Sequence, residues 1–167
     1  MKRVIVIGCP GSGKSTFSKK LYKLTDIPLY HLDMMYWNPD RTIVEKIVFH
    51  ERLSNVIQKD EWIIDGNYGS TIELRLQACD TVFFLDYPTE ICLEGIRERR
   101  EKARSDMPWI EKIDEEDAEF IEFIVNFNLH SRPAIVELLN KYSDKTIRIF
   151  KNRNDADAFL KSLKTKE

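Results

Sequence analysis

Cysteine is scarce in this sequence, and its placement argues against two common kinds of small protein. Only 3 of the 167 residues are cysteines, at Cys9, Cys79 and Cys92. Their spacing is typical neither of a disulfide framework nor of a metal-binding domain, both of which need regularly placed pairs. We therefore expect free thiols and a cytoplasmic protein in a reducing environment.

The chain also lacks an excess of one charge and any long apolar run. It has 26 basic and 28 acidic residues, so no overall basic bias indicates binding to nucleic acid or to a membrane surface. No apolar run approaches the ~20 residues that cross a bilayer. We expect no signal peptide, because Met1-Lys2-Arg3 leads directly into a predicted strand. With no repeat or linker, residues 1–167 are predicted to form one domain.

One stretch carries a specific motif for binding phosphates. Residues Gly8-Cys9-Pro10-Gly11-Ser12-Gly13-Lys14-Ser15 match the P-loop pattern G-x-x-x-x-G-K-[ST] at every fixed position. The β-branched run 4–7 predicts a buried strand before the motif, and residues 16–24 predict a helix with one apolar face after it. A strand, a glycine-rich loop and a helix in this order favour binding of a nucleoside triphosphate.

Each part of the motif has an expected role in binding ATP and Mg²⁺. The glycines let the backbone approach a ligand closely, and the loop N–H groups at the helix N-terminus attract phosphate. Lys14 is expected to neutralise the β- and γ-phosphates, and Ser15 is expected to bind Mg²⁺. The predicted nucleotide-binding residues of the loop are Gly8, Pro10, Gly11, Ser12, Gly13, Lys14, Ser15 and Thr16.

The rest of the chain alternates predicted strands with predicted helices. The strands are 3–8, 29–32, 62–65, 81–86 and 146–150. The helices are 14–24, 42–58, 70–78, 89–104, 114–140 with a break near Pro133, and 155–163. This order predicts an α/β fold of three layers, in which helices cover both faces of a five-stranded parallel sheet. Ligands then bind beyond the carboxyl ends of the strands.

Carboxylates follow two of these strands. Asp33 follows strand 29–32, where it can take a proton from an attacking hydroxyl or hold Mg²⁺ through water. Capping a helix or closing the loop is an equally good interpretation of Asp33. Asp65 ends an apolar strand before Gly66, as a Walker-B-type magnesium ligand does. His31 shares a strand face with Asp33, and we expect it to be buried and hydrogen-bonded rather than catalytic.

The densest positive charge lies on the predicted helix 89–104. Its arginines can form a solvated face paired with nearby glutamates, or contact the transferring phosphoryl group from a mobile lid. We predict such a small helical lid at about residues 97–128. The candidate catalytic arginines are Arg99, Arg100, Arg104 and Arg132.

Two further arginines are candidates for ligand contacts. Arg153 follows the last strand, where a planar guanidinium can lie against adenine, so we count it among the nucleotide-binding residues. Arg75 lies on the predicted helix 70–78. It can reach an anionic acceptor, or it can be a solvated surface residue.

Several of these stretches together resemble the nucleoside-monophosphate-kinase branch of P-loop proteins. Asp65-Gly66 is similar to the start of the Asp-Gly-Phe-Pro-Arg signature of adenylate kinases. Residues 81–88 and Arg99-Arg100 are similar to the strand and arginine helix that lead into their lid. Asn67-Tyr68 replaces Phe-Pro-Arg, and Gly95 replaces an arginine, so the resemblance argues against AMP as the acceptor.

The chain resembles more closely the topology modulation protein (FlaR-like) family, bacterial relatives of adenylate kinases. The family stretch Leu-Asp-x-x-Tyr-Trp-x-Pro is matched by residues 32–39, and Ile-x-Asp-Gly-Asn-Tyr is matched by residues 63–68. Its Arg-Pro-Asp-Met element corresponds to Arg104-Ser105-Asp106-Met107. The resemblance covers essentially the whole chain, and it implies a nucleoside-monophosphate-kinase-like fold and nucleotide binding.

These predictions converge on a Mg²⁺–ATP-dependent phosphotransferase with a small nucleoside- or nucleotide-like acceptor. Ser15 and Asp65 would hold Mg²⁺, Asp33 would orient or deprotonate the acceptor, and the lid arginines would stabilise the transferring group. The alternative, implied by the family name, is a nucleotide-dependent regulator of DNA topology. DNA stays a possible partner that the charge balance does not support. A GTPase is less favoured, because no Asn-Lys-x-Asp guanine signature is present.

Overall fold

A computed structural model of the chain describes residues 1–99, 105–108 and 118–164. Five strands form a single sheet whose pairings are all parallel. In chain order they are β1 (Arg3–Gly8), β2 (Leu29–His31), β3 (Trp62–Asp65), β4 (Thr81–Leu85) and β5 (Thr146–Phe150). Across the sheet their order is β2-β3-β1-β4-β5, so β1 occupies the centre.

Helices cover both faces of this sheet and complete the predicted three-layer fold. They are α1 (Lys14–Thr25), α2 (Leu32–Tyr36), α3 (Lys46–Ile57), α4 (Gly69–Ala78), α5 (Thr89–Arg99), α6 (Ala118–His130), α7 (Arg132–Lys141) and α8 (Arg153–Lys164). Every residue of β3 and β4 is buried, as strands covered on both sides must be. The predicted α/β fold class is therefore confirmed. None of the described helices is long and apolar enough to cross a bilayer.

The register of the three central strands brings their carboxyl ends together. Val6 pairs with Asp65, and Gly8 pairs with Leu85. Because all strands run in the same direction, the loops that follow β1, β3 and β4 meet at one edge of the sheet. The P-loop is the first of these loops, so the fold places the end of β3 and the start of α5 beside it.

The predicted helix 42–58 is wrong at its start, since α3 begins only at Lys46. Asp40 explains the difference: its carboxylate accepts hydrogen bonds from the N–H and the hydroxyl of Thr42, at 2.9 and 2.5 Å. Such side-chain bonds compete with helix formation. The chain instead forms a turn in which Ile43 bridges to Trp37. The buried residues of α3 are Phe49, Leu53 and Val56.

Strand β2 is one residue shorter than predicted, and a short helix replaces the predicted loop after it. β2 ends at His31, and α2 begins at Leu32. Asp33 consequently lies in the first turn of a helix rather than on the strand face of His31. A carboxylate is stabilised at this position by the partial positive charge of the helix N-terminus.

The break predicted near Pro133 is confirmed. α6 ends at His130 and α7 begins at Arg132, with the proline in its first turn, where the missing N–H costs nothing. α6 packs against both α5 and α7. The predicted continuation of α5 over residues 100–104, and the predicted helical residues 114–117, lie outside the described residues.

Candidate active site

Two glycines, Gly11 of the P-loop and Gly95 of α5, allow close contact between the P-loop and α5. Gly11 also has a left-handed backbone, as Gly13 does, with φ of 83° and 91°. A Cβ on Gly11 would lie 1.9 Å from the carbonyl oxygen of Cys92, and a Cβ on Gly95 would lie 1.9 Å from the carbonyl oxygen of Gly11. No side chain fits at either position, so both glycines are needed for this packing.

The loop after β3 is joined to the P-loop by Asn67. The side-chain amide of Asn67 donates to the carbonyl of Gly8 at 2.6 Å, and its side-chain oxygen accepts from the Gly8 N–H at 3.0 Å. Tyr68 follows with a left-handed backbone, φ 40°, which is unusual for a residue with a side chain. The start of the P-loop is thus fixed by a side chain 59 positions away.

Arg75 supports this loop from within the protein. Its side chain is fully buried and donates to the carbonyls of Gly66, at 2.9 Å, of Asn67, and of Thr71, at 3.3 Å. Burial lowers the pKa of Arg75 to about 9. Both sequence-based interpretations of Arg75, an acceptor contact and a solvated surface residue, are therefore wrong.

The side chain of Lys14 folds back onto the start of its own loop. Its ammonium donates to the carbonyls of Gly8, at 2.8 Å, and Cys9, at 3.2 Å. Loss of solvent and the nearby charge of Arg99 lower the pKa of Lys14 to about 8, while Asp33 and Asp65 act in the opposite direction. The structure therefore brings these predicted site residues close enough to influence one another.

The two predicted functional carboxylates each have a hydrogen-bonding partner. Asp65 is buried, and Nδ1 of His31 lies 2.9 and 2.8 Å from its two oxygens. The hydroxyl of Tyr68 donates to Asp33. Burial and the charge of Asp33 strongly raise the pKa of Tyr68, so this hydroxyl stays protonated. His31 is hydrogen-bonded, as expected, but it is half-buried rather than buried.

Aromatic rings stand beside Asp33. The ring of Tyr36 lies 4.6 Å from that of Tyr68, 5.2 Å from that of Trp37 and 5.3 Å from that of Phe49, measured between centroids. These rings pack together as a cluster in edge-to-face and tilted contacts, and the hydroxyl of Tyr68 joins that cluster to Asp33.

The hydroxyl of Ser15 is bonded to a residue that lies far along the chain. Ser15 Oγ donates to Oδ2 of Asp106 at 2.8 Å. Asp106 is 3% exposed, and its Oδ1 lies 3.9 Å from the ammonium of Lys19. A carboxylate therefore lies directly at the predicted magnesium-binding hydroxyl.

A cavity of about 350 Å³ opens at the P-loop. Among its lining residues are Gly11, Ser12, Gly13, Ser15, Thr16, Tyr87, Arg99, Asp106 and Arg153. The hydroxyl oxygen of Ser12 is buried without a hydrogen-bond partner among the described residues. An unpartnered polar atom in a glycine-rich loop fits a ligand rich in oxygen atoms, such as a phosphate chain. Gly8, Pro10 and Lys14 belong to the same loop but do not line the cavity.

Arg153 lies at this cavity, beside the contact between the P-loop and α5. One of its guanidinium nitrogens lies 3.4 Å from the carboxylate of Glu98, and another would lie 3.3 Å from a Cβ on Gly95. The planar group is thus within reach of a ligand that extends from the loop.

The oxygen ligands beside the P-loop suit magnesium better than a metal ion that is coordinated entirely by protein side chains. Over residues 1–99, 105–108 and 118–164, no three or more histidine, cysteine, aspartate or glutamate side chains form a metal-binding group. Magnesium usually takes one or two carboxylates, with water and substrate phosphates completing its shell. The hydroxyl and carboxylate at the mouth of the P-loop match that requirement.

Comparison with solved structures supports the observed fold. No protein-family model matches the chain, and no curated protein sequence matches it. The structure is similar to shikimate kinase from Acinetobacter baumannii in complex with shikimate, with a TM-score of 0.62 at 16% identity over 98% of this chain and 90% of that one. It is also similar to shikimate kinase from Bacteroides thetaiotaomicron, with a TM-score of 0.57 at 17% identity over 97% and 95% of the two chains. The chain has the P-loop kinase fold.

Arg132 lies in an ion-pair network at the end of β4. Its Nε and Nη2 donate to the two oxygens of Asp86 at 2.8 Å each, and Lys151 donates to the same carboxylate at 2.5 Å. Although burial raises the pKa of Asp86, the hydrogen bonds from Arg132 and Lys151 hold it below its usual range. Arg132 therefore joins the start of α7 to the sheet. Arg100 and Arg104 lie outside the described residues.

Sequence reasoning missed three residues that build the site, Asn67, Gly95 and Asp106, and gave Arg75 the wrong role. All three missed residues stand where this chain shares or departs from a family motif, since Asn67 and Asp106 lie within matched stretches and Gly95 replaces an arginine. That placement was the available signal. Arg75 carried none, because nothing in its local pattern distinguishes a buried arginine from a surface one.

Proposed function

We propose that this protein is a Mg²⁺–ATP-dependent phosphotransferase that acts on a small acceptor. The observation that carries the proposal is a cavity that opens at the P-loop and is lined by Ser12, Ser15 and Arg99, with the hydroxyl oxygen of Ser12 buried and without a partner among the described residues. Phosphoryl transfer requires cations for the phosphates and carboxylates for the metal and the acceptor, and the proposed groups are Lys14, Arg99, Asp65 and Asp33.

The loop residues would bind and orient the triphosphate. Lys14 would exchange its bonds to the carbonyls of Gly8 and Cys9 for contacts with phosphate oxygens. Ser15 and Asp65 are the proposed residues for Mg²⁺, which would neutralise the phosphate charge. Arg153 would lie against the adenine.

The acceptor would lie at Asp33. Its carboxylate can take the proton of an attacking hydroxyl, and the hydroxyl of Tyr68 fixes its orientation. Tyr36 and Trp37, whose ring centroids lie 5.2 Å apart, would offer the acceptor an apolar contact. One structural neighbour was solved in complex with shikimate, which supports a small-molecule acceptor. We propose a nucleoside- or nucleotide-like compound as the first class to examine.

Positive charge for the transferring group would come from the predicted lid, about residues 97–128, of a single domain 1–167. Arg99 lines the cavity and influences Lys14, so it is the best-supported of the arginines. Arg100 and Arg104 stay proposals from the sequence. Arg132 is engaged with Asp86, and we leave it out of the phosphate-contacting set.

The test is ADP production from Mg²⁺–ATP with a panel of acceptors: nucleosides, nucleoside monophosphates, sugars, shikimate and duplex DNA. We expect strong stimulation by one small acceptor, abolished in Lys14→Ala. Lys23→Ala is the matched control, because Lys23 is an exposed lysine of the same helix. Full activity in folded Lys14→Ala, or no stimulation by any small acceptor, would contradict the proposal.

The DNA arm of this panel tests the alternative of a nucleotide-dependent regulator of DNA topology. Stimulation by duplex DNA alone would favour that alternative. Binding through phosphate contacts would then weaken steeply with salt.

A further inference from the structure

We propose that Trp37 and Tyr68 are positioning residues that hold Asp33 as an ionised carboxylate, ready to take a proton from the acceptor. They would do so through a chain of two hydrogen bonds that runs in one direction only, from Trp37 to Tyr68 to Asp33. This inference rests on the proposed function, since it concerns the carboxylate at which the acceptor would lie. It adds a role for Trp37 and assigns Asp33 a charge state.

The direction of the chain follows from the indole of Trp37. The side chains of Trp37 and Tyr68 are hydrogen-bonded to each other, and an indole N–H can only donate. The oxygen of Tyr68 is therefore the acceptor in this bond, and its single proton is donated to Asp33. A hydrogen bond received by a carboxylate stabilises the ionised form. Asp33 is thereby kept able to accept the proton of an attacking hydroxyl.

The loop after β3 holds Tyr68 in a backbone conformation that a large residue rarely adopts. Its φ of 40° is left-handed, and such a conformation costs free energy that the surrounding structure must offset. The carbonyl of Tyr68 accepts hydrogen bonds from the N–H of Thr71, at 2.9 Å, and from its hydroxyl, at 3.0 Å. The preceding residue, Asn67, is fixed to Gly8 by two further bonds. The hydroxyl of Tyr68 is consequently presented to Asp33 from a fixed position.

The other two members of the chain belong to one short segment. Asp33 lies in the first turn of α2, and the N–H of Trp37, directly after this helix, donates to the carbonyl of Asp33 at 3.1 Å. Tyr36 contacts both aromatic members, since its ring centroid lies 5.2 Å from that of Trp37 and 4.6 Å from that of Tyr68. Donor and carboxylate therefore keep their spacing, and groups already fixed lose little conformational entropy when they bond.

Charged groups on other elements also act on Asp33 or on its neighbours. Lys14 of α1 interacts electrostatically with Asp33, and this opposite charge favours the ionised carboxylate as well. Asp65 at the end of β3 and Arg99 of α5 act on the same lysine. Because the pKa of Lys14 is about 8, the ammonium stays charged over the pH range in which a carboxylate titrates. A change in the titration of Asp33 on removal of the Tyr68 hydroxyl therefore reports the loss of that hydrogen bond.

The first test is the indole region of the ¹H–¹⁵N NMR spectrum of the free protein. The chain has 3 tryptophans, so Trp37→Phe assigns the signal of Trp37. Tyr68→Phe keeps the ring and removes the hydroxyl, and we expect it to move the Trp37 indole proton to lower frequency. The indole of Trp62, which donates to the carbonyl of Ile57 at 3.4 Å, is the internal reference for an intact fold. An unmoved Trp37 signal would contradict the chain.

The second test is the titration of the Asp33 carboxyl carbon by ¹³C NMR, with the signal assigned by Asp33→Asn. We expect the midpoint to rise in Tyr68→Phe by about one pH unit, since a charge-assisted hydrogen bond is lost. Trp37→Phe should cause a smaller rise, because the hydroxyl of Tyr68 loses the donor that polarises it. The matched control is Tyr142→Phe, which removes a tyrosine hydroxyl that donates to the carboxylate of Glu73 at 2.9 Å.

These outcomes separate the inference from the proposed function. If Asp33 titrates at the same pH in wild type and Tyr68→Phe, the inference fails, whereas the proposed function stands because Asp33 can accept a proton without this support. If the midpoint rises equally in Tyr142→Phe, the effect is not specific to the chain and the inference also fails. If Asp33 behaves as expected but no small acceptor stimulates ADP production by wild type, the proposed function fails.

Discussion

Asn67 holds Gly8 by both of its backbone polar groups, with one bond of 2.6 Å to the carbonyl and one of 3.0 Å from the N–H. Gly8 is the last residue of β1 and the first of the P-loop. The loop after β3 therefore sets the position at which the P-loop begins. A substitution of Asn67 should therefore weaken nucleotide binding indirectly, by changing the position of the P-loop.

Asn67→Ala tests this coupling. Losing two partly buried hydrogen bonds should lower the free energy of unfolding by about 1–3 kcal/mol. We also expect about tenfold weaker ADP binding, because the start of the loop is no longer fixed. Thermal unfolding and calorimetry measure the two effects. Asn55→Ala, at an exposed position of α3, is the control, and equal behaviour of the two variants would contradict this role.

Gly95→Ala should displace the P-loop, because Gly95 of α5 packs directly against it. The added Cβ would lie 1.9 Å from the carbonyl oxygen of Gly11, so backbone must move. We expect a loss of about 1–3 kcal/mol or more in unfolding free energy, together with loss of ADP binding. Gly69→Ala is the matched control, because no atom lies within 4 Å of its added Cβ and its φ is not left-handed. Normal ADP binding by Gly95→Ala would show that the loop tolerates displacement.

Nucleotide affinity should depend on pH through Lys14. In the free protein, loss of solvent lowers the pKa of Lys14 to about 8. Bound phosphates favour the charged form and raise that pKa, so binding above pH 8 must take up a proton. The affinity for ADP should therefore be flat below about pH 8 and fall by up to about tenfold per pH unit above it.

Calorimetry in two buffers of different ionisation enthalpy measures the proton uptake directly. Lys14→Arg is the control, because a guanidinium has a higher intrinsic pKa than an ammonium, which moves the loss of charge, and with it the fall in affinity, to higher pH. A pH-independent affinity of wild type between pH 7 and pH 9.5 would contradict a lowered lysine pKa.

Arg132→Met separates a structural role from a catalytic one. The partly exposed pair with Asp86 should contribute about 1 kcal/mol to stability at pH 7. Because the pKa of Asp86 is lowered in the folded state, this contribution is present above its unfolded pKa. It is lost as pH falls through the folded pKa.

We therefore expect wild type and Arg132→Met to differ in urea midpoint at pH 7 and to converge in acid, with turnover nearly unchanged. The opposite pattern, equal stability and a turnover reduced about 10³-fold, would place Arg132 on the transferring phosphoryl group.

The parts of this structure that follow from local sequence were predictable. The P-loop is a contiguous motif, so its glycine-rich turn between β1 and α1 can be recognised from local sequence alone. Buried strands such as Trp62–Asp65 can be recognised as apolar runs. The break before Pro133 follows from the missing N–H of proline.

Features that depend on distant partners were not predictable. Ser15 and Asp106 meet only when the chain is folded, and the burial of Arg75 depends on carbonyls exposed by a loop that precedes its helix. The helix predicted from residue 42 failed for a different reason. The apolar spacing of Ile43 and Ile47 suggested a helix, whereas the carboxylate of Asp40 favoured a turn. Both isoleucines are exposed.

The most direct test of the account is a calorimetric titration of wild type and Lys14→Ala with Mg²⁺ and a non-hydrolysable ATP analogue. We predict one binding site per chain in wild type and at least about tenfold weaker binding in the folded variant, since a charge-assisted contact to phosphate is lost. Absence of binding by wild type, or equal binding by the two proteins, would contradict a nucleotide site at the P-loop.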